Sequence, residues 1–367
     1  MTLVCAHELK SKFNICLGIT PWKRENFLNF VGGRQNAKFM SLRNYTEAVQ
    51  LAADLDGRVI CWASSVSEGL QAAADHLYVD LIRVEDGFIR SSGLGIKLNM
   101  PASLCFSDRG IHYDARTVST LEAFLETHEF TDAERARGHG LIRLMRERKI
   151  TKYNLKSTKA EMPEWPTDDL ACSRILVIGQ VGDDASLRYG APGIDSNEDL
   201  LRRVRDLNPY GAIIYRPHPD VTCGLRKGTV PTDVLNELGI TQSTKGDLFA
   251  LMQEADEVHV ASSQTGLEAL IHGAHVVCHG LPFYAGWGLT TDTSKTRGYR
   301  ALSLEELVYG AFCAYPVYVD PFTGEEITAE ETINLILSGR AWPRAPRSYM
   351  IAVWWNRRLR KFRKAVT

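Results

Sequence analysis

Two short segments place acidic side chains among small residues directly after apolar runs, the setting in which a carboxylate works as nucleophile or proton acceptor. They are Glu85-Asp86-Gly87 and Gly179-Gln180-Val181-Gly182-Asp183-Asp184-Ala185-Ser186. A substrate can approach a carboxylate closely where the neighbours lack bulk. Each segment also has a plain structural reading. The first could be only a strained loop. In the second, Asp183 or Asp184 could cap a helix N-terminus, worth about 1 kcal/mol. Neither has the three spaced glycines of a dinucleotide fingerprint.

Three further segments supply positive charge, hydroxyls and rings. Tyr215-Arg216-Pro217-His218-Pro219-Asp220 holds a histidine between two prolines, with Arg226 and Lys227 just beyond. Restricted backbone suits fixed hydrogen bonds to a phosphate or sugar, and the adjacent cations favour an anion. In Ala261-Ser262-Ser263-Gln264-Thr265-Gly266, hydroxyls close a strand and open a helix. A helix start is a seat for phosphate, although capping by Ser263 or Thr265 would need no ligand. Gly280 to Thr290 carries Tyr284 and Trp287, rings that stack on sugars or bases or else fill a core.

The elements that must position these groups follow a βα rhythm. Phe13–Leu17, Arg58–Trp62 and Leu77–Val84 read as strands with helical segments between them. A second cycle runs from Arg174–Ile178 through Ala212–Arg216 and Val258–Ala261 to Ala274–His279. The expected class is α/β, with two Rossmann-like domains built on parallel sheets. Residues 1–155 and 170–330 form the domains, Lys149 to Thr167 connects them, and ligands bind in a cleft between the halves.

With 367 residues and 44% hydrophobic content, the chain has the size for two cores. A formal net charge of −1 gives no reason to expect nucleic acid. The eight cysteines are scattered singly, as reduced core residues are, and no zinc-ligand spacing occurs. His272, His275 and His279 flank an apolar run and read as the polar ends of a buried strand. Asp54-Leu55-Asp56 matches a metal-binding D-x-D but ends a helix-like run, so a solvated face is expected and no metal. The absence of a leader or spanning segment predicts a cytoplasmic protein.

The tail differs from the rest. Beyond Glu331 there is no acidic residue, while Arg and Lys recur around Ile351, Trp355, Leu359 and Phe362. Residues 340–367 therefore read as a basic amphipathic segment lying on the inner face of the cytoplasmic membrane.

In series, E-D-G-F-I-R-S-S-G-L-G, G-Q-V-G-D-D-A-S, R-P-H-P-D-V, S-S-Q-T-G-L-E-A-L and G-L-P-F-Y-A-G-W-G-L-T resemble the bacterial capsule β-Kdo transferases. The likeness is to the second module of the two-module enzymes and runs from about Cys16 to Asp320. Trp22-Lys23-Arg24, Asp108 to Asp114 and Lys152-Tyr153-Asn154 support it.

The resemblance implies a GT-B-like, retaining enzyme that moves Kdo from CMP-Kdo to a lipid-linked Kdo oligosaccharide in capsule assembly and export. It implies an N-terminal acceptor side and a C-terminal donor side. Asp184 would be the nucleophile, and Asp86 or Glu85 the acid–base partner. Gln180, Asp183, Ser186, Arg216, His218, Arg226, Ser262, Ser263, Gln264, Thr265, Gly266, Tyr284 and Trp287 would bind substrate. No cofactor beyond the donor is expected. A single module implies a partner transferase for an alternating linkage. The alternatives are another CMP-nonulosonic acid as donor, or a non-catalytic assembly scaffold.

Overall fold

The computed structural model describes residues 3–154, 164–165, 173–296, 298–346 and 349. The expected α/β class is present, as two sheets rich in parallel strands.

The first sheet takes β1 (Asn14–Leu17), β2 (Ala37–Phe39), β3 (Arg58–Trp62), β4 (Leu81–Asp86) and β5 (Ser103–Ser107). The second takes β6 (Arg174–Ile178), β7 (Ala212–Arg216), β8 (Ile240–Gln242), β9 (Glu257–Val260), β10 (Val276–Cys278) and β11 (Thr291–Asp292). The chain then returns to the first sheet with β12 (Pro316–Val319) and β13 (Glu326–Ile327).

The central strands β1, β3, β6 and β7 are buried and mostly apolar because both faces are covered, and alternate residues enter opposite cores. In the first sheet Ile15, Leu17, Val59 and Cys61 pack beneath the helices Tyr45–Asp54 and Glu68–His76. Cys16, Ile60, Val84 and Phe106 face the other way, against Leu9, Phe27 and Phe30. In the second sheet Ile175, Val177, Ile213 and Tyr215 join Leu187 and the Leu200, Leu201, Val204 stripe of the helix Asn197–Leu207.

The first sheet is not wholly parallel, contrary to expectation. β4 and β5 pair antiparallel, as do β5 with β12 and β12 with β13. This return also displaces the expected boundaries. Among the described residues, one compact unit draws on Arg109–Thr151 and Lys156–Tyr315, the other on Val4–Asp108, Lys152–Leu155 and Pro316–Thr367. The physical reason is ladder pairing: Pro316–Tyr318 bond to Ser103–Cys105, so the segment expected in the second domain completes the first sheet.

The second sheet has the order β8-β7-β6-β9-β10-β11 with every pairing parallel. That is the doubly wound dinucleotide-fold order, which reverses between β6 and β9 and opens a ligand crevice beyond their carboxyl ends. In the first sheet β2-β1-β3-β4-β5 reverses between β1 and β3. Among the described residues no helix is long and apolar enough to cross a membrane. The amphipathic segment expected at the chain's end lies outside the described residues from position 350 onward.

Candidate functional site

Four of the five chemistry-bearing segments meet at the carboxyl end of the second sheet. The loop after β6 is clamped by Asn197, whose Oδ1 accepts from Gln180 N at 2.9 Å while its Nδ2 donates to Gln180 O at 2.8 Å and Gly228 O at 2.7 Å. Gly182 N donates to Lys227 O at 2.8 Å, tying the histidine segment to this loop.

Asp184 caps the helix Ala185–Gly190, as the structural reading allowed. Its Oδ1 accepts from both Ser186 N and Ser186 Oγ, each at 2.9 Å. Capping and chemistry do not compete here, since a carboxylate has a second oxygen. Across the reversal point, Ser262 N donates to Gln180 Oε1 at 2.8 Å, and Gln180 Nε2 donates to the hydroxyls of Ser186 and Ser262 at 3.2 Å each. Ser263 caps the helix Gln264–Ile271, its Oγ accepting from Thr265 N at 3.2 Å. Gln264, Thr265 and Gly266 form that helix's first turn.

His218 caps the short helix Pro219–Thr222, and its Nδ1 accepts from Asp220 N at 3.1 Å. Neutral imidazole with an accepting Nδ1 carries its proton on Nε2, the nitrogen that would donate to an anion.

Five residues expected to contact a ligand take other partners. Arg216 donates to Ser243 Oγ at 3.2 Å and to the carbonyls of Lys245 and Gly246, so it braces the 243–246 loop instead of facing a ligand. Arg226 and Asp183 neutralise each other at 2.7 Å. Tyr284 and Trp287 are both 0% exposed, which removes the stacking face expected of them. Tyr284 donates its hydroxyl to Ser263 O, and Trp287 stacks on Tyr299 at 4.1 Å and donates to Phe283 O at 2.7 Å. Burying the rings leaves their polar atoms in need of partners, and the backbone supplies them.

The three clustered histidines also part company. His279 bonds His259 at 2.9 Å, His275 bonds Thr291 at 2.9 Å, and His272 packs on Phe249.

The acidic pair of the first sheet forms a separate centre. Asp86 ends β4, with Lys23 Nζ 3.1 Å from Oδ1 and Arg90 Nε 2.7 Å from Oδ2. The three side chains are 18%, 12% and 1% exposed, so this is a buried triad. Burial acts against its charge, yet the two cations hold the Asp86 carboxyl well below the usual carboxylate range.

Glu85 behaves oppositely. Burial first, and the Asp86 charge second, push its carboxyl up to about 7. Lys23 Nζ also sits 3.7 Å from the centre of the Trp62 ring, and burial lowers its pKa. The loop that follows is braced by Arg90 N and Gly93 N donating to the carbonyls of Lys152 and Tyr153, at 3.0 and 2.6 Å. Gly93 takes φ +106°, which a side chain would not tolerate. Sequence reasoning assigned Lys23, Trp62 and Arg90 no role. Their signal was the Trp22-Lys23 pair directly after β1 and an arginine four residues beyond Asp86.

A two-sheet α/β protein with a carboxylate at a Rossmann reversal point and a second, protonatable carboxylate in the other unit is the class that these features define. Residues 57–158 and 138–325 match the profile of the family described as capsule polysaccharide biosynthesis protein, and the chain belongs to that family.

The capsule polysaccharide modification protein LipA of Neisseria meningitidis serogroup A is 40% identical over 326 residues, which are 88% of this chain and 45% of LipA. The chain thus spans about half the length of that relative. The lipopolysaccharide-processing protein LpsZ of Rhizobium meliloti is 34% identical, over 90% of this chain and 76% of LpsZ. Among solved structures, the β-Kdo 2,7 transferase of Thermosulfurimonas dismutans KpsC superposes with TM-score 0.71 at 33% identity, covering 90% of this chain and all of that one. The β-Kdo 2,4 transferase of the same KpsC gives 0.72 at 27% identity, covering 89% of this chain and 98% of that one.

Proposed function

We propose that the chain is a glycosyltransferase of capsule synthesis that moves Kdo from CMP-Kdo to a Kdo-bearing, lipid-linked acceptor with retention of configuration. The observation that carries the reading is Asp184, held by one oxygen at the reversal point of the second sheet, in a fold that matches two β-Kdo transferases.

In the first step an Asp184 oxygen bonds to the anomeric carbon as the carbon–oxygen bond to phosphate breaks, its electron pair leaving on CMP. In the second step the acceptor hydroxyl displaces Asp184 and gives up its proton. Two inversions retain configuration, as in retaining glycosidases. The leaving phosphate needs positive charge more than a proton. The capped start of the helix Gln264–Ile271 is suited to supply partial positive charge, and the Nε2–H of His218 to donate a hydrogen bond.

Of the two acids on β4, Glu85 suits the proton acceptor, because a carboxyl near 7 exchanges protons at neutral pH while Asp86 is committed to Lys23 and Arg90. No cofactor enters either step. The basic tail would hold the enzyme on the inner leaflet beside its acceptor, and a partner transferase would add any alternate linkage.

The test is transfer from CMP-Kdo to a synthetic Kdo acceptor, with product linkage read by NMR and the protein's mass read after acid quench. Asp184→Ala should abolish both transfer and adduct while CMP binding persists. An adduct on another residue, or full activity of Asp184→Ala, would overturn the reading. A CMP-sialic acid arm distinguishes the donor.

A further inference from the structure

We propose that Gln180 and Ser186 are positioning residues that dedicate one oxygen of Asp184 to the fold and leave Oδ2 as the attacking atom. The proposal rests on the nucleophile reading above and reassigns two residues expected to touch substrate.

The hydrogen-bond directions follow one from another. Ser262 N can only donate, and it donates to Gln180 Oε1 at 2.8 Å, so the amide's orientation is fixed and Nε2 must be the donor. Ser262 Oγ gives its single proton to Ser186 O at 2.7 Å and so meets Gln180 Nε2 as an acceptor at 3.2 Å. Ser186 Oγ likewise accepts from Nε2 at 3.2 Å, which sends its own proton to Asp184 Oδ1 at 2.9 Å. With Ser186 N adding a second donor at 2.9 Å, Oδ1 holds two hydrogen bonds. Oδ2 makes none among the described residues, so its lone pairs stay available to an electrophile.

The chain of bonds spans the two loops whose strands, β6 and β9, flank the reversal of strand order. Gln180 and Ser262 are 5% and 9% exposed, too enclosed to serve as ordinary surface polar groups. Helix capping alone needs only the Ser186 N–H; the hydroxyl and the amide are additional, and both lead to Oδ1. Preorganisation of this kind acts on the chemical step, since a misplaced nucleophile costs orientation and not affinity.

The decisive variant is Gln180→Glu. It keeps the acceptor for Ser262 N but cannot donate to Ser186, whose proton is then drawn from Asp184 to the new carboxylate. With CMP-Kdo as donor, kcat should fall on the order of 10- to 100-fold with donor KM within about twofold. Ser186→Ala should do the same, and Ser186→Thr, which keeps the hydroxyl, should recover most of the rate. Thermal unfolding and CMP titration of each variant identify one that fails to fold, and the Ser186 pair then carries the test. Wild-type kcat in Gln180→Glu, or a loss confined to donor KM, would overturn the proposal.

Quench-flow mass spectrometry separates the two levels. If the wild type forms no adduct on Asp184, the nucleophile reading fails. If it does and Gln180→Glu forms the adduct equally fast, only the positioning role fails.

Discussion

Lys23 Nζ stands 3.1 Å from Asp86 Oδ1 and 3.7 Å from the centre of the Trp62 ring, so one ammonium group is shared between a carboxylate and an indole. Arg90 takes the remaining carboxylate oxygen. Removing the negative charge leaves two cations confronting each other out of water. Asp86→Asn is expected to cost about 3 kcal/mol or more in urea unfolding, the range for breaking a buried pair from one side. An unchanged midpoint would show that the triad adds nothing to stability.

Glu85 gives a pH signature of definite sign. Its folded-state pKa, about 7, lies above the ordinary carboxylate value, so the folded protein binds this proton more tightly than the unfolded chain. Stability from this group is therefore fully present below the ordinary carboxylate value of 4.5 and is lost as pH rises from there through about 7. Glu85→Gln should flatten that decline in a series of melting curves. In the proposed role the same titration makes kcat/KM rise through about 7, and the rise should vanish in Glu85→Gln.

Trp287 is a core residue whatever the loop's composition suggested. Its ring is wholly buried and parallel to Tyr299, with an interplanar angle of 8°. Trp287→Ala should lose about 3–5 kcal/mol of stability, as large aromatic truncations do. Measured well below its melting temperature, the variant should keep wild-type KM for donor and acceptor. A selective rise in either KM would return the ring to the binding surface.

Gly266 explains the small residue in the helix's first turn. A Cβ there would lie 2.2 Å from the Tyr284 hydroxyl, a clash with a side chain that is itself fixed to Ser263 O. Gly266→Ala is expected to destabilise by about 1–3 kcal/mol. Adding Tyr284→Phe should recover part of that loss, giving a non-additive double-mutant cycle. Additive losses would mean that the two positions do not meet.

Much of the fold was legible because buried parallel strands are short, apolar and punctuated. Arg58–Trp62, Arg174–Ile178 and Ala212–Arg216 are strands with the bounds read from sequence. β2, β5, β12 and β13 were not read: β2 and β13 are short edge strands, and the antiparallel pairing of β5 with β12 is a long-range choice. The helix Asp132–Arg148 also escaped, although Thr131 and Glu134 form a capping box that announces its start.

At the site, the loops were found because glycine, acid and hydroxyl residues exceed what a core needs. Side-chain direction was not found. Arg216 and Arg226 carry the same charge whether they face a ligand, a carbonyl or an aspartate, and composition does not distinguish these.

The return of β12 to β5 has a consequence for synthesis on the ribosome. Strands β6 to β11 are contiguous in the chain, so their sheet has every strand it needs once residue 292 has emerged. The earlier-made sheet waits for Pro316–Val319 with β5 open along one side. The half translated first is thus expected to mature last, and until then Ser103–Ser107 offers a bare backbone edge to other nascent chains. Chains truncated just short of position 316 and released from the ribosome should accordingly show protease-resistant β6–β11 beside a still-cleavable amino-terminal half.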